Sequence, residues 1–248
     1  MLVPPALTAW NVTLLFVHVP KTGGTAIESA FGALERRAPG PDSAVHRRVP
    51  RCLGDDARSW GLGVHLPEPE ALESARRCAG VRGPIVSFAV VRDVDEVARS
   101  AWLYLQAHPT WTPGGPPSCR AFQAHRYSEA RPKGAAHRHT FTYAQHSFLG
   151  PCTVLFSYAR GTVWPFLATL GVPSLRSRVN AAHPALANGT RPCPRPPDPQ
   201  DAALVRAVDA AGVVVPACAP VTRAQRAQME TLGSLVTASG PPRRLESA

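Results

Sequence analysis

Lysine is nearly absent from this chain: of 27 basic residues in 248, only Lys21 and Lys133 are lysines and the rest are arginines. No apolar run reaches the about 18 residues that a membrane-spanning helix needs, so no transmembrane segment is expected. The N-terminus lacks the basic start and unbroken apolar core of a signal peptide, because Leu2 to Val19 is interrupted by Pro4, Pro5 and Asn11. No C-x-x-C pair occurs among the six cysteines, Cys52, Cys78, Cys119, Cys152, Cys193 and Cys218, which argues against a zinc ribbon or a thioredoxin-type site. Their even number leaves disulfides open, although a core of this size does not need them. Carboxylates and histidines show no metal-ligand spacing, and His137-Arg138-His139 reads as a solvated loop, so no metal is expected.

What is present describes a folded chain. Hydrophobic residues at 44% and charged residues at 18% are ordinary for a globular protein, and the length suits one sizeable α/β domain spanning residues 1–248. The 27 prolines predict long, stiff connections. A formal charge of +10 favours an anionic partner, but the arginines are scattered among alanine, proline and glycine. The charge alone therefore does not separate an acidic substrate from a compositional habit. Asn11-Val12-Thr13 and Asn188-Gly189-Thr190 are glycosylation sequons, which lean towards a secretory compartment.

Short apolar runs alternate with helical patterns. Leu14 to Val19 reads as a buried strand, and after the turn Pro20 to Gly24 the apolar residues Ile27, Ala30, Phe31 and Leu34 recur at the spacing of one helix face. A helix is expected from about Pro69 to Ala79. Pro84 to Val91 reads as a second buried strand leading into a helix from Asp93 to Ala107. Thr153 to Tyr158 reads as a third, followed by a helix through Trp164, Leu167 and Leu170 that stops at Gly171-Val172-Pro173. This alternation implies right-handed crossovers and a parallel sheet flanked by helices, with ligands at the carboxyl ends of the strands. His183 to Gln200 is read as a proline-rich loop and residues 222 to 237 as a terminal helix.

Two segments carry chemistry. In Pro20-Lys21-Thr22-Gly23-Gly24-Thr25, glycines let the backbone approach an anion, the helix start favours negative charge, Lys21 adds a mobile point charge and the threonines add donors. The lysine precedes the glycines, unlike GxxxxGK[ST], which weakens a kinase or ATPase reading. Arg92 ends the second strand, and Ser100 lies eight residues on, in the next helix. Two helical turns separate Asp93 from Ser100, so a guanidinium and a hydroxyl can converge on one phosphate.

His18-Val19-Pro20-Lys21-Thr22-Gly23-Gly24-Thr25 resembles the 5′-phosphosulfate motif of the Golgi carbohydrate sulfotransferases. Val91-Arg92-Asp93 with Ser100-Ala101-Trp102 resembles that family's 3′-phosphate motif, with Val94 in place of a proline and Val97 in place of a second arginine. The later Val154 to Tyr158, Leu170 to Pro173 and Val179-Asn180-Ala181-Ala182 match more loosely. The resemblance covers residues 12 to 185, and the last sixty or so, a Pro-rich loop and C-terminal helical segment over 186–248, are not matched.

The resemblance implies a P-loop-like three-layer α/β fold with a central parallel sheet, and transfer of a sulfuryl group from 3′-phosphoadenosine-5′-phosphosulfate (PAPS) to a hydroxyl of a carbohydrate, a glycosaminoglycan being one such polyanionic acceptor. Neither metal nor nucleic acid is implied, and the setting would be the Golgi lumen, with any anchor missing from this chain. Lys21, Thr22, Gly23, Gly24 and Thr25 would hold the 5′-phosphosulfate, with Lys21 also stabilising the leaving oxygen; Arg92 and Ser100 would hold the 3′-phosphate.

Trp60-Gly61-Leu62-Gly63-Val64-His65 is similar to a segment of the heparan sulfate 6-O-sulfotransferases whose histidine is the base. That makes His65 the candidate base and His18, beside the turn, the runner-up. Leu66-Pro67-Glu68 departs from the A-D-W that succeeds the histidine in that subfamily. Trp102, Gln106, Thr110 and Trp111 stand at the intervals of the same subfamily. Trp111 and Trp102 are the candidate sugar contacts, core packing being the better reading for Trp102 and not for Trp111. The alternative is a catalytically impaired module of the same fold that binds PAP or a polyanion.

Overall fold

The computed structural model describes residues 2–3, 8–37, 65–77, 80–107, 118–124, 144–172, 193 and 197–238. A five-stranded sheet runs in the order β1 (Leu2–Val3), β2 (Thr13–Phe16), β3 (Ile85–Val91), β4 (Val154–Ser157), β5 (Val213–Val214). The three central strands are parallel, with Leu14 opposite Val86 and Phe88 opposite Val154. Both edge strands are antiparallel to their neighbours, so the sheet is mixed where the sequence implied a parallel one. Two-residue edge strands carry too little alternation to be seen in a sequence.

Helices cover both faces. Along β3, Val86, Phe88 and Val90 face a cluster with Ile27, Ala30 and Phe31 of α1 (Gly24–Arg37), Phe166 and Leu167 of α5 (Val163–Thr169), and Met229 of α7 (Arg223–Ala238). Ile85, Ala89 and Val91 face the other way, towards Ala71 and Ala75 of α2 (Glu68–Arg77), Val94 of α3 (Val94–Ala107), and Val205 and Val208 of α6 (Pro199–Ala211). This two-sided burial is why the central strands read as continuous apolar runs. Among the described residues, no helix is long and apolar enough to cross a membrane.

The segment after 186 builds part of this framework. α6 packs on β4 and β5, and α7 on β5 and α5. The helix start at α6 was legible: the Asp198 side chain accepts from the amides of Gln200 and Asp201, with Pro199 at the first helical position. The abundance of proline around it hid the signal. Disulfides join Cys119 of α4 (Cys119–Ala124) to Cys193, and Cys152 to Cys218. Cys52, Cys78 and Asn188 lie outside the described residues.

Candidate functional site

The carboxyl ends of β2, β3 and β4 meet at one edge of the sheet, and each delivers a side chain. After β2 the chain turns through Lys21, whose φ of +65° lies in the left-handed region that costs a non-glycine residue roughly 1 kcal/mol or more. Gly23 follows with φ +90°, and a Cβ there would lie 3.0 Å from the ring of Tyr158, the residue after β4. At Gly24, where α1 begins, a Cβ would run into the His18 ring. The two glycines therefore serve close packing within the turn, just before the first amides of α1, which lack intrahelical acceptors.

Arg92 leaves β3 towards this turn. Its Nη1 donates to the Lys21 carbonyl at 3.2 Å, its Nε to Glu96 Oε2 at 2.9 Å, and its guanidinium lies 4.4 Å from the centre of the Tyr158 ring. Lys21 Nζ sits 4.0 Å from the centre of the Tyr104 ring. Burial, and then the positive charge of Arg92, lower the Lys21 pKa to about 8. Two cations thus converge, each set against an aromatic face. Tyr158 is 41% exposed, the one large hydrophobic residue so open among the described residues.

The spacing of α3 places Ser100. Glu96, Ser100 and Tyr104 recur every fourth residue and so share one helix face. Since Glu96 pairs with Arg92 and Tyr104 lies under Lys21, half-buried Ser100 sits between the two cation partners. Val94 stands where the family pattern has proline, yet α3 is properly begun, because Asp93 Oδ1 accepts from the Glu96 amide at 3.0 Å. Thr22 is used differently from the expectation. It is buried, and its hydroxyl donates to the Val19 carbonyl at 2.9 Å, so its one proton closes the turn and only its amide remains for an anion. Thr25 lies in the first turn of α1 and is half-buried.

His65 and His18 are neighbours despite their separation of 47 positions in sequence. His65 Nδ1 lies 2.9 Å from the His18 carbonyl, and the rings meet edge-on with centroids 4.4 Å apart. A carbonyl only accepts, so Nδ1 carries the proton and, in the neutral ring, Nε2 carries the lone pair. Three residues on, Glu68 begins α2 and accepts from the Ser87 hydroxyl of β3 at 2.7 Å, which ties this stretch to the sheet. His18 is 5% exposed, with Nδ1 2.9 Å from Glu28 Oε1 of α1.

Trp102 is 7% exposed and packs edge-on against Phe122 beside Cys193, so its ring faces belong to the core and offer nothing to a sugar. Trp111 lies outside the described residues, as does His137 to His139. Sequence reasoning missed Tyr104, whose four-residue interval from Ser100 was a readable signal. It also missed Tyr158, Glu28, Gln145 and Asp201, which no local pattern marks.

The last two of these hold Arg92 in place. The Gln145 side chain accepts from the Arg92 amide at 3.0 Å and donates to its carbonyl at 2.7 Å. Asp201 of α6 accepts in turn from the amides of Gln145 and His146, at 2.7 and 2.8 Å, and contacts His146 Nδ1 at 2.9 Å. A bracket from the C-terminal segment thus reaches the end of β3.

The fold and site together define an α/β protein with a two-cation cluster at the carboxyl edge of its parallel strands. Comparison with protein-family models, with curated proteins and with solved structures finds no match for this chain.

Proposed function

We propose that this chain is a P-loop-like sulfotransferase moving a sulfuryl group from PAPS to a carbohydrate hydroxyl. The observation that carries the reading is the convergence of Lys21 and Arg92 at the turn before α1, where the His18 ring that abuts Gly24 also meets His65, a histidine whose Nε2 bears the lone pair. A nucleoside bisphosphate brings anions of the kind that a desolvated lysine and an arginine fork would meet. In this reading Lys21 and the amides of Gly23, Gly24 and Thr25 hold the 5′-phosphosulfate, and Arg92 and Ser100 hold the 3′-phosphate.

His65 is the base. The acceptor oxygen forms its bond to sulfur as the bond from sulfur to the 5′-phosphate oxygen breaks, and the hydroxyl proton passes to His65 Nε2. Charge then builds on the leaving phosphate, where Lys21 stands. The two disulfides support a secretory setting such as the Golgi lumen, since such bonds persist in oxidising compartments.

The test is transfer of labelled sulfate from PAPS to a panel of desulfated glycans, run beside His65→Ala. The expected result is transfer by the native chain and a loss on the order of 10²- to 10⁴-fold in the variant, with PAP affinity unchanged. Full activity in the variant would remove His65 as base. PAP binding with no transfer to any glycan would instead identify a binding module.

A further inference from the structure

The immediate surroundings of His18 are unusually complete for a residue beside a turn. Its Nδ1 meets Glu28 Oε1 at 2.9 Å, its ring stacks on Phe16 at 5.6 Å between centroids, and its far edge lies against the Cα of Gly24. The ring also meets the His65 ring in a T-shaped contact, with centroids 4.4 Å apart, while the His18 carbonyl takes the His65 Nδ1 proton. Glu28 is four residues into the helix that begins at Gly24, one turn above the phosphate-type turn. The Glu28 side chain of α1 therefore fixes the His18 ring that walls His65, and that wall keeps His65 against the His18 carbonyl, which sets its tautomer.

We infer that Glu28 is a positioning residue that, through His18, holds His65 with Nδ1 protonated and Nε2 turned to accept a proton. His18 acts here as a strut rather than as a base. The inference rests on the reading of His65 as base, and it adds a coupling: the helix whose first turn meets the donor also orients the group that activates the acceptor. Partners one layer behind a reacting group fix ring orientation and tautomer in just this way at metal-bound histidines, where losing them typically costs about 10- to 100-fold. A hydrogen bond is what the geometry requires of Glu28. A glutamine, whose amide oxygen also accepts from His18 Nδ1, should therefore serve in its place, whereas alanine should not.

The experiment is ¹⁵N NMR of histidine-labelled full chain, native and as Glu28→Ala and Glu28→Gln, read beside steady-state kinetics with PAPS. Alanine favours helix and Glu28 is partly exposed, so both variants are expected to fold. The native His65 should show a protonated Nδ1 and a bare Nε2. Glu28→Ala should shift it to a mixture of tautomers and lower kcat roughly tenfold with KM for PAPS unchanged, and Glu28→Gln should restore both.

A His65 spectrum and kcat unaltered in Glu28→Ala would overturn the inference while leaving the sulfotransferase reading standing. A native His65 without the Nδ1 proton would overturn it as well. The expected spectral shift in a chain that transfers no sulfate would uphold the positioning role and remove the sulfotransferase reading.

Discussion

Lys21→Ala is expected to abolish sulfuryl transfer, by roughly 10²- to 10³-fold or more, while the chain unfolds at no lower temperature than the native one. The ammonium of Lys21 is stripped of water by burial and stands near the charge of Arg92, so its charge is held at a cost that the variant removes. That cost fixes the sign of its pH dependence. With a folded pKa of about 8 against an unfolded value of 10.5, the group burdens the folded state fully below pH 8, and the burden lifts progressively as pH rises from about 8 to 10.5.

Binding of an anion runs the other way. PAP should bind best below pH 8 and weaken roughly tenfold as Lys21 loses its proton, and binding near pH 8 should take up a proton from the buffer. Calorimetry in buffers of different ionisation enthalpy reads that uptake, and Lys21→Arg, charged throughout, should flatten the pH profile. Full turnover in Lys21→Ala would sink the assigned mechanism, and a flat native profile would sink Lys21 as the titrating contact.

Asp201→Ala carries the second large effect, and it falls on a residue far in sequence from either motif. Asp201 is 1% exposed and its carboxylate serves the amides of Gln145 and His146 together with His146 Nδ1. Its removal strands buried donors, which costs roughly 3–5 kcal/mol, or on the order of 10 °C in Tm for a chain of this size. The loss should also reach the ligand, because the Gln145 amide that brackets Arg92 would no longer be held. PAP affinity should fall along with Tm, and Asp201→Asn, which keeps one acceptor, should be intermediate. Thermal unfolding and PAP titration measure the two. An unchanged Tm would show that the bracket does not support the fold, and a lowered Tm with native PAP affinity would separate it from Arg92.

Much of the fold was legible because local physics dictated it. Buried parallel strands must be apolar on both sides, so Leu14 to Phe16, Ile85 to Val91 and Val154 to Ser157 stood out as runs, and the period of α1, α3 and α5 followed from their one-sided burial. The strand expected to continue to Val19 ends at Phe16, whose pairing with Phe88 is the last of the register, only the Val17 amide reaching further to the Phe88 carbonyl. α6 went unread among prolines although Asp198 and Pro199 announced it.

The chemistry divides along the same line. Sequence by itself singled out the residues proposed to meet an anion and their places in the fold, because a lysine and two glycines between strand and helix, and an arginine at a strand end, owe those places to neighbours within a few positions. The tertiary structure alone decided how those groups are held: Lys21 over Tyr104, Arg92 between Tyr158 and Gln145, His65 against His18, and Asp201 behind Gln145. Each of these pairs joins segments separated by tens of residues, at no regular period. Hydrogen bonds and ring contacts depend on distances of a few ångströms that only the packing of helices on the sheet sets, and no spacing along the chain encodes them.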